Sequence, residues 1–302
     1  MKKHAYLIMA HNEFDLLVKL LKELDDPRND VYLHIDKKAG EFDEEAIRNS
    51  IVQSKLYMMP RMNVYWGHIS LVKCELKLLR AASKGNYHYY HMISGTDFPL
   101  KSQDYIHDFL EDKDSLYLTC HRDGEPGYEF MFKLKYYYPL LRFVGKGVFK
   151  GTSLRDKMGR KLGYWQLRLT EIQEKKNIDR TKKHPDIDYY KGDNWFSIPH
   201  DFAIYILSLE KEIMKLFGLT DGSDEIFMQT MAMRSKFSDR VENNCLRKID
   251  WNRGTPYEFT YEDLSELLES DAFFARKISY ERQPLLVETL IKHIKGAGFG
   301  QD

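Results

Sequence analysis

The chain has 302 residues, with 46 basic and 46 acidic side chains; 43% of it is hydrophobic and 30% charged. That balance argues against a disordered chain, and no apolar run approaches the roughly 18 residues that a membrane-spanning helix needs. The net charge of zero hides an asymmetry: residues 133–183 hold 15 Lys/Arg against 4 Asp/Glu, so this segment carries +11 and the remainder −11.

The opening MKKHAYLIMAHNE has an apolar run of only residues 5–10, too short for a secretory signal, and reads as a strand ending in His11 and Asn12. Leu16, Leu17, Leu20, Leu21 and Leu24 follow at helical spacing. Residues 31–36 (VYLHID) predict a second strand that ends at Asp36, and 63–67 (NVYWG) a third that ends near Trp66. A helix with Ile69, Val72, Leu76 and Leu79 on one face comes next. YHYYHMIS at 87–94 and SLYLTCH at 115–121 complete the strands, with Ser94 and Asp97 just past the fourth. Apolar strands alternating with helices predict an α/β domain with a mixed, mostly parallel sheet and flanking helices. Ligands bind beyond the carboxyl ends of such strands, where His11, Asn12, Asp36, Trp66, Ser94 and Asp97 gather.

Residues 130–151 mix aromatics with lysines, and a basic helical stretch continues to about Lys176. This part reads either as a solvated helical subdomain or as a surface for an acceptor or an anionic membrane. It comes with no nucleic-acid-binding motif, so no nucleic-acid partner is expected. KGDNWFSIP at 191–199 then leads through an apolar segment to DGSDEIFMQTMAM at 221–233. There the pair Asp224–Glu225 opens a helix, a position that suits capping as well as catalysis. Two basic pairs follow, Arg247–Lys248 and Arg276–Lys277, with a helix near 260–270 between them. A last amphipathic pattern holds Leu285, Leu286, Leu290 and Ile291. Without repeats or linkers, residues 1–302 read as a single domain with a basic, aromatic-rich insertion at about 125–185. The cysteines Cys74, Cys120 and Cys245 match no metal spacing and read as buried thiols of a cytoplasmic protein.

An α/β cleft, a candidate base and basic pairs able to face a diphosphate suggest transfer from a nucleotide-activated donor. The Asp-x-Asp strings Asp112/Asp114 and Asp186/Asp188 do not end strong strands, and Asp97 is a single carboxylate, a poor metal site. A metal-dependent nucleotidyl or phosphoryl transferase and a non-catalytic nucleotide- or carbohydrate-binding protein remain as alternatives. A glycoside hydrolase needs carboxylates facing each other across the bond, which adjacent Asp224 and Glu225 do not offer.

SGTDFPLK at 94–101, WGHISLV at 66–72, HIDKK at 34–38, GDNWFSI at 192–198, SDEIFMQT at 223–230, LRKIDWNR at 246–253 and FFARKIS at 273–279 resemble, in order, the Core-2/I-branching glycosyltransferases. That family includes the peptide O-xylosyltransferases. The resemblance implies a GT-A-type nucleotide-sugar-binding fold, a UDP-sugar donor, inversion at the anomeric carbon, and no essential metal or other cofactor. GlcNAc or xylose is the implied sugar, and a glycan, glycolipid or protein the acceptor. Glu225 matches the family's catalytic base, while Asp224 keeps the capping role. His11, Asp36, Trp66, Asp97, Arg247, Arg276 and Lys277 fall to the donor. Asn194, Trp195 and Glu129 fall to the sugar and acceptor pocket. A bacterial-type enzyme of surface-glycan synthesis is implied, working in the cytoplasm with peripheral contact to the inner face of the plasma membrane through 130–183.

Overall fold

A computed structural model describes residues 2–144 and 151–296. The stretch 145–150 of the predicted basic insertion lies outside the described residues.

Four strands run parallel: β1 (His4–Ala10), β2 (Asn29–Ile35), β3 (Lys55–Met58) and β4 (Tyr89–Ser94). The short β5 (Phe98–Pro99), β6 (Leu116–Tyr117) and β7 (His121–Arg122) follow. The second half adds β8 (Tyr190–Lys191), β9 (Phe196–Pro199), β10 (Val241–Glu242), β11 (Arg247–Ile249) and β12 (Phe274–Arg276). The main sheet has the order β10-β6-β9-β4-β1-β2-β3, with β9 antiparallel to both neighbours. A small sheet, β11-β12-β5, stands beside it, and β7 pairs with β8. The fold is α/β with a mixed, mostly parallel sheet, as the alternation of elements predicts.

β1 shows why its sequence has no polar alternation. Ala5 and Leu7 enter one core while Tyr6, Ile8 and Ala10 enter the other, so both faces of the strand are covered. The helices on the first-core side include α3 (Ser70–Ala82), α8 (His200–Ser208), α9 (Glu210–Phe217) and α10 (Phe227–Met233). The other side holds α1 (Phe14–Leu24), α2 (Glu44–Asn49), α4 (Gln103–Leu110), α11 (Leu264–Leu268) and α12 (Pro284–Ile294). The five leucines expected on one face of α1 are all buried. The basic segment forms α5 (Met131–Lys135), α6 (Leu141–Val144) and the 22-residue α7 (Leu154–Lys175).

Two strand boundaries differ from the sequence reading. Residues 63–67 form a loop, because Gly67 turns the chain at φ 67° and the Ser70 hydroxyl takes the Tyr65 N–H at 2.8 Å. The third strand is instead β3, an edge strand whose half-exposed residues show no continuous apolar run. The stretch 115–121 shortens to the two-residue β6.

A buried histidine cluster crosses the amino-terminal part of β1 and β4. His4 stacks on His107 at 4.0 Å between ring centroids and shares a hydrogen bond with His91 at 3.2 Å. His91 also pairs with the Ser197 hydroxyl at 2.7 Å, and His107 with the Asn29 side chain at 2.9 Å. Burial pushes His4 and His91 far below the usual histidine range, aided at His4 by His107, His88 and Arg28 and at His91 by His4, Arg247, His107 and His88. Burial and then Arg28 bring His107 from 6.5 to about 4, against the opposite pull of Asp26, Asp104 and Asp108. A neutral native imidazole gains its proton only on unfolding, so the stability it contributes is lost as pH falls below 6.5. Replacing His107→Asn should flatten the fall of stability with acidification by about 1.4 kcal/mol per pH unit between those two values. Urea unfolding across that range measures the slope, and an unchanged slope would show that His107 is not neutral in the native state.

Candidate active site

A cavity of about 450 Å³ opens beyond the carboxyl ends of the parallel strands. Ala10 and His11 after β1, Asp36 after β2 and Ser94 at the end of β4 line it, together with His34, Lys38 and Trp66. Asp193, Asn194, Trp195, Asp224, Glu225, Trp251 and Arg276 form the remaining polar and aromatic wall. The cleft therefore lies where a mostly parallel sheet leaves its ligand space.

The turn carrying Glu225 is held by backbone on both sides. Gly222, at φ 64°, gives its N–H to the Gly67 carbonyl at 2.9 Å, and the Gly192 N–H binds the Glu225 carbonyl at 2.9 Å. Lys191 and Lys133 approach Glu225 Oε2 at 3.1 and 3.7 Å. The Glu225 side chain stays about one-third exposed (32%), open to a ligand. Asp224 is different: it is buried, and burial followed by the charge of Glu225 pushes its carboxyl up to about 7. The expected capping role is not what this side chain does. α10 carries no side-chain cap, and Asp224 accepts a hydrogen bond from Asn194 Nδ2 at 3.3 Å. Burial won over capping, because a 3-10 turn at 223–225 already satisfies the backbone there.

Arg276 enters the cavity from the end of β12. Its Nη1 binds Asp97 Oδ1 at 2.7 Å and Thr96 Oγ1 at 3.2 Å, and also contacts Ser94 Oγ. Its guanidinium lies over the Trp195 ring at 4.3 Å. Asp97, fully buried, also accepts from the Ser94 N–H and hydroxyl at 2.9 and 2.8 Å. It positions Arg276 and does not line the cavity.

Of the residues singled out by sequence, the cavity brings together His11, Asp36, Trp66, Asn194, Trp195, Glu225 and Arg276. Others, Asp97 among them, stand apart from it. Arg247 is buried beneath the sheet, donating to the Ser197 hydroxyl at 2.8 Å and to the carbonyls of Cys245, Phe196 and Met92 at 2.6, 3.0 and 3.1 Å. Its fellow Lys248 pairs with Glu266 at 2.7 Å. Lys277 and the exposed Glu129 are likewise absent from the cavity wall. Sequence reasoning missed Lys133 and Lys191 beside Glu225, and Trp251, whose Nε1 donates to Asp193 Oδ1 at 3.2 Å at the rim. Lys191 directly precedes the GDNW string, a usable signal; Lys133 sits 92 residues before Glu225 and carries none. Among the described residues no three His, Cys, Asp or Glu side chains converge to hold a metal ion.

The family model described as Core-2/I-Branching enzyme matches residues 4–271. Human Xylosyltransferase 2 is 23% identical to this chain over 97% of it, but the chain spans only 34% of that protein's length. Human N-acetyllactosaminide beta-1,6-N-acetylglucosaminyl-transferase is 23% identical over 95% of the chain and 70% of that protein. Among solved structures the chain is similar to mouse Xyloside xylosyltransferase 1 in its apo form, with a TM-score of 0.40 and 9% identity, covering 91% of this chain and 97% of that one.

Behind Asp224, on α3, the Glu75 carboxyl is buried with neither oxygen hydrogen-bonded among the described residues. Burial, then the charge of Asp224, raises it well above the usual glutamate value of 4.5. The native state thus holds a proton that unfolding releases, and this contribution weakens as pH rises above 4.5. Glu75→Gln removes the dependence. Its stability relative to the parent should improve by about 1.4 kcal/mol for each pH unit above that value. Denaturant unfolding at pH 5, 6 and 7, as set points, checks this; a constant difference would mean Glu75 is ionised in the native protein.

Proposed function

The chain belongs to the Core-2/I-Branching enzyme family, and on that footing we propose that it is an inverting glycosyltransferase. It moves a sugar, GlcNAc or xylose, from a UDP-sugar to an acceptor hydroxyl in surface-glycan or polysaccharide synthesis. The observation that carries this reading is the meeting of Glu225 and Arg276 in one cavity beyond the strand ends.

The acceptor oxygen attacks the anomeric carbon from the side facing Glu225. Its proton passes to the Glu225 carboxylate as the new C–O bond forms. The bond from that carbon to the diphosphate oxygen breaks, and UDP leaves with the electron pair. Negative charge grows on the diphosphate, and the Arg276 guanidinium, held by Asp97 and Trp195, is placed to stabilise it without a metal. A cation fixed beforehand costs no reorganisation during the reaction, which is why its anchoring to a fully buried carboxylate matters. Asp36 is suited to the nucleoside: it lies at the end of β2 and is tied to the Lys38 N–H at 2.9 Å. Asn194 and Trp195 shape the sugar pocket, and the exposed Trp66 at its mouth is available to the ligand.

The basic segment supports a peripheral site of work at the inner face of an anionic membrane. Along α7 the apolar Leu154, Met158, Trp165 and Leu167 are exposed among Lys157, Lys161 and Arg168. No helix among the described residues is long and apolar enough to cross a membrane.

Glu225→Gln should bind UDP as the parent does and lose about 10²- to 10⁴-fold in kcat, the usual contribution of a general base. UDP titration calorimetry with a coupled UDP-release assay separates the two. Full turnover in the variant would remove Glu225 from the mechanism, and an equal loss of binding and rate would make it a structural group. EDTA should leave the parent's rate unchanged; abolished activity would favour a metal-dependent transferase. In flotation with phosphatidylglycerol vesicles at low salt, the protein should rise with the lipid, and Trp165→Ala with Leu167→Ala should reduce that fraction. Absence of flotation would remove the membrane from the proposal.

A further inference from the structure

A second cavity, of about 350 Å³, lies between the basic segment and α9. Arg180, Lys183, His184 and Lys215 line it, and among the described residues no carboxylate does. Leu134 and Leu216 are buried in its floor, and Tyr137 and Tyr189 stand at its sides. An apolar, aromatic pocket with a few convergent charges of one sign is built for a ligand of the opposite sign.

The four basic side chains are not equivalent. Arg180 is occupied: its Nη1 and Nη2 bind the Tyr136, Leu219 and Leu216 carbonyls at 3.1, 3.1 and 2.8 Å, so it closes the end of α9. Its guanidinium covers one part of the Tyr137 ring at 4.8 Å. Lys183 is steadied by the Tyr137 hydroxyl at 3.0 Å, a contact that leaves two of its three N–H groups for a ligand. Neither Lys183, His184 nor Lys215 forms an ion pair with a carboxylate among the described residues.

The pocket is also close to Glu225. On α5, Leu134 lines the pocket while its neighbour Lys133 reaches Glu225 Oε2 at 3.7 Å. On the other side, Leu219 lines the pocket, and Gly222, three residues on, would place a Cβ 3.1 Å from Lys133 Nζ. α5 and this short turn thus link the wall of the pocket to the groups beside Glu225. A glycan chain whose hydroxyl meets Glu225 can therefore set a neighbouring residue of the chain against the tyrosines.

We propose that this pocket is an acceptor subsite for an oxyanion, a phosphate or a carboxylate, carried by a sugar of the acceptor glycan. The binding stands on the pocket alone; its role for the acceptor rests on the reading of Glu225 as base. The tyrosine faces receive the sugar ring, and Lys183 and Lys215 receive the anion through charge-assisted hydrogen bonds.

Titration calorimetry of the whole protein with glucose 1-phosphate and with glucuronate, using glucose as the neutral control, tests this. UDP is kept in excess to fill the first cavity. At least one of the two anionic sugars should bind saturably and glucose should not. The exposed pair Lys183→Gln with Lys215→Gln should weaken that binding at least about tenfold, the worth of one charge-assisted bond, with UDP affinity and circular dichroism unchanged. The proposal is overturned by binding that persists unchanged in the double variant, by glucose binding as well as its anionic relatives, or by no saturable binding of either anion. If UDP itself fails to bind, the donor reading falls, while the comparison of parent with double variant still decides the pocket. Anion binding lost in the double variant with an unaltered KM for every anionic acceptor would keep the site and remove its acceptor role.

Discussion

Two backbone hydrogen bonds hold the turn that carries Glu225, and the rest of the cavity depends on them. The Gly222 N–H reaches Gly67 and the Gly192 N–H reaches the Glu225 carbonyl, so three segments distant in sequence meet at one carboxylate. Both partner segments need glycine for close approach. A Cβ on Gly192 would lie 1.9 Å from the Thr119 carbonyl oxygen, and one on Gly67 would lie 2.7 Å from Asp221 Oδ1. No side chain fits the first distance, and the second adds a clash to a positive φ. The Trp-Gly and Gly-Asp-Asn-Trp strings are therefore backbone devices as much as cavity linings. Trp66 and Asn194 reach the cavity because the glycines beside them fix the chain there.

The same packing sorts three neighbouring acids into different electrostatic states. Glu75 lies within the core, Asp224 at its edge and Glu225 partly in the cavity. Desolvation disfavours the charged form of the first two; the charge of Asp224 adds to it at Glu75, and that of Glu225 at Asp224. Glu225 instead faces two ammonium groups across a partly solvated gap. A partly exposed carboxylate, backed by two acids whose charged forms burial disfavours, is a suitable arrangement for accepting one proton at one place. Arg276 follows a parallel logic. Its charge is anchored to Asp97 and stacked on Trp195, which fixes its direction before any ligand arrives.

Much of this arrangement is legible from residue order because parallel strands announce themselves. β1, β2 and β4 are apolar on both faces, so their ends are visible, and the residues after them share one edge. β3 escaped because an edge strand is covered on one side only and its pattern resembles a loop. Arg247 misleads for a different reason. A short strand followed by basic residues looks like a diphosphate site, yet four hydrogen bonds turn this guanidinium into a staple between β11, β9 and β4. No local pattern distinguishes a cation that meets carbonyls from one that meets phosphate. Arg276 and Arg247 differ only in what the sheet places above them. Lys133 is the converse case, a residue inside an unpatterned basic stretch that tertiary folding brings to Glu225.

That stretch is better understood as several structures than as one charged surface. Lys133 turns inward to the cavity, and Arg180 closes the carbonyl end of α9. Arg168 pairs along α7 with Glu171 at 2.6 Å, and Lys183 rests against Tyr137. The excess of +11 is thus divided among packing, electrostatics and exposure, and only the exposed share can attract a distant anion. A charge count cannot make that division, because burial and partner choice are set by segments far away in the chain. What the count does identify is where anions are tolerated. Lys133 of this segment faces the Glu225 carboxylate, while the second cavity, lined by the segment itself, has no carboxylate in its wall among the described residues. One basic element thus holds two opposite electrostatic settings, a lysine paired with a carboxylate and a basic pocket wall with none among the described residues.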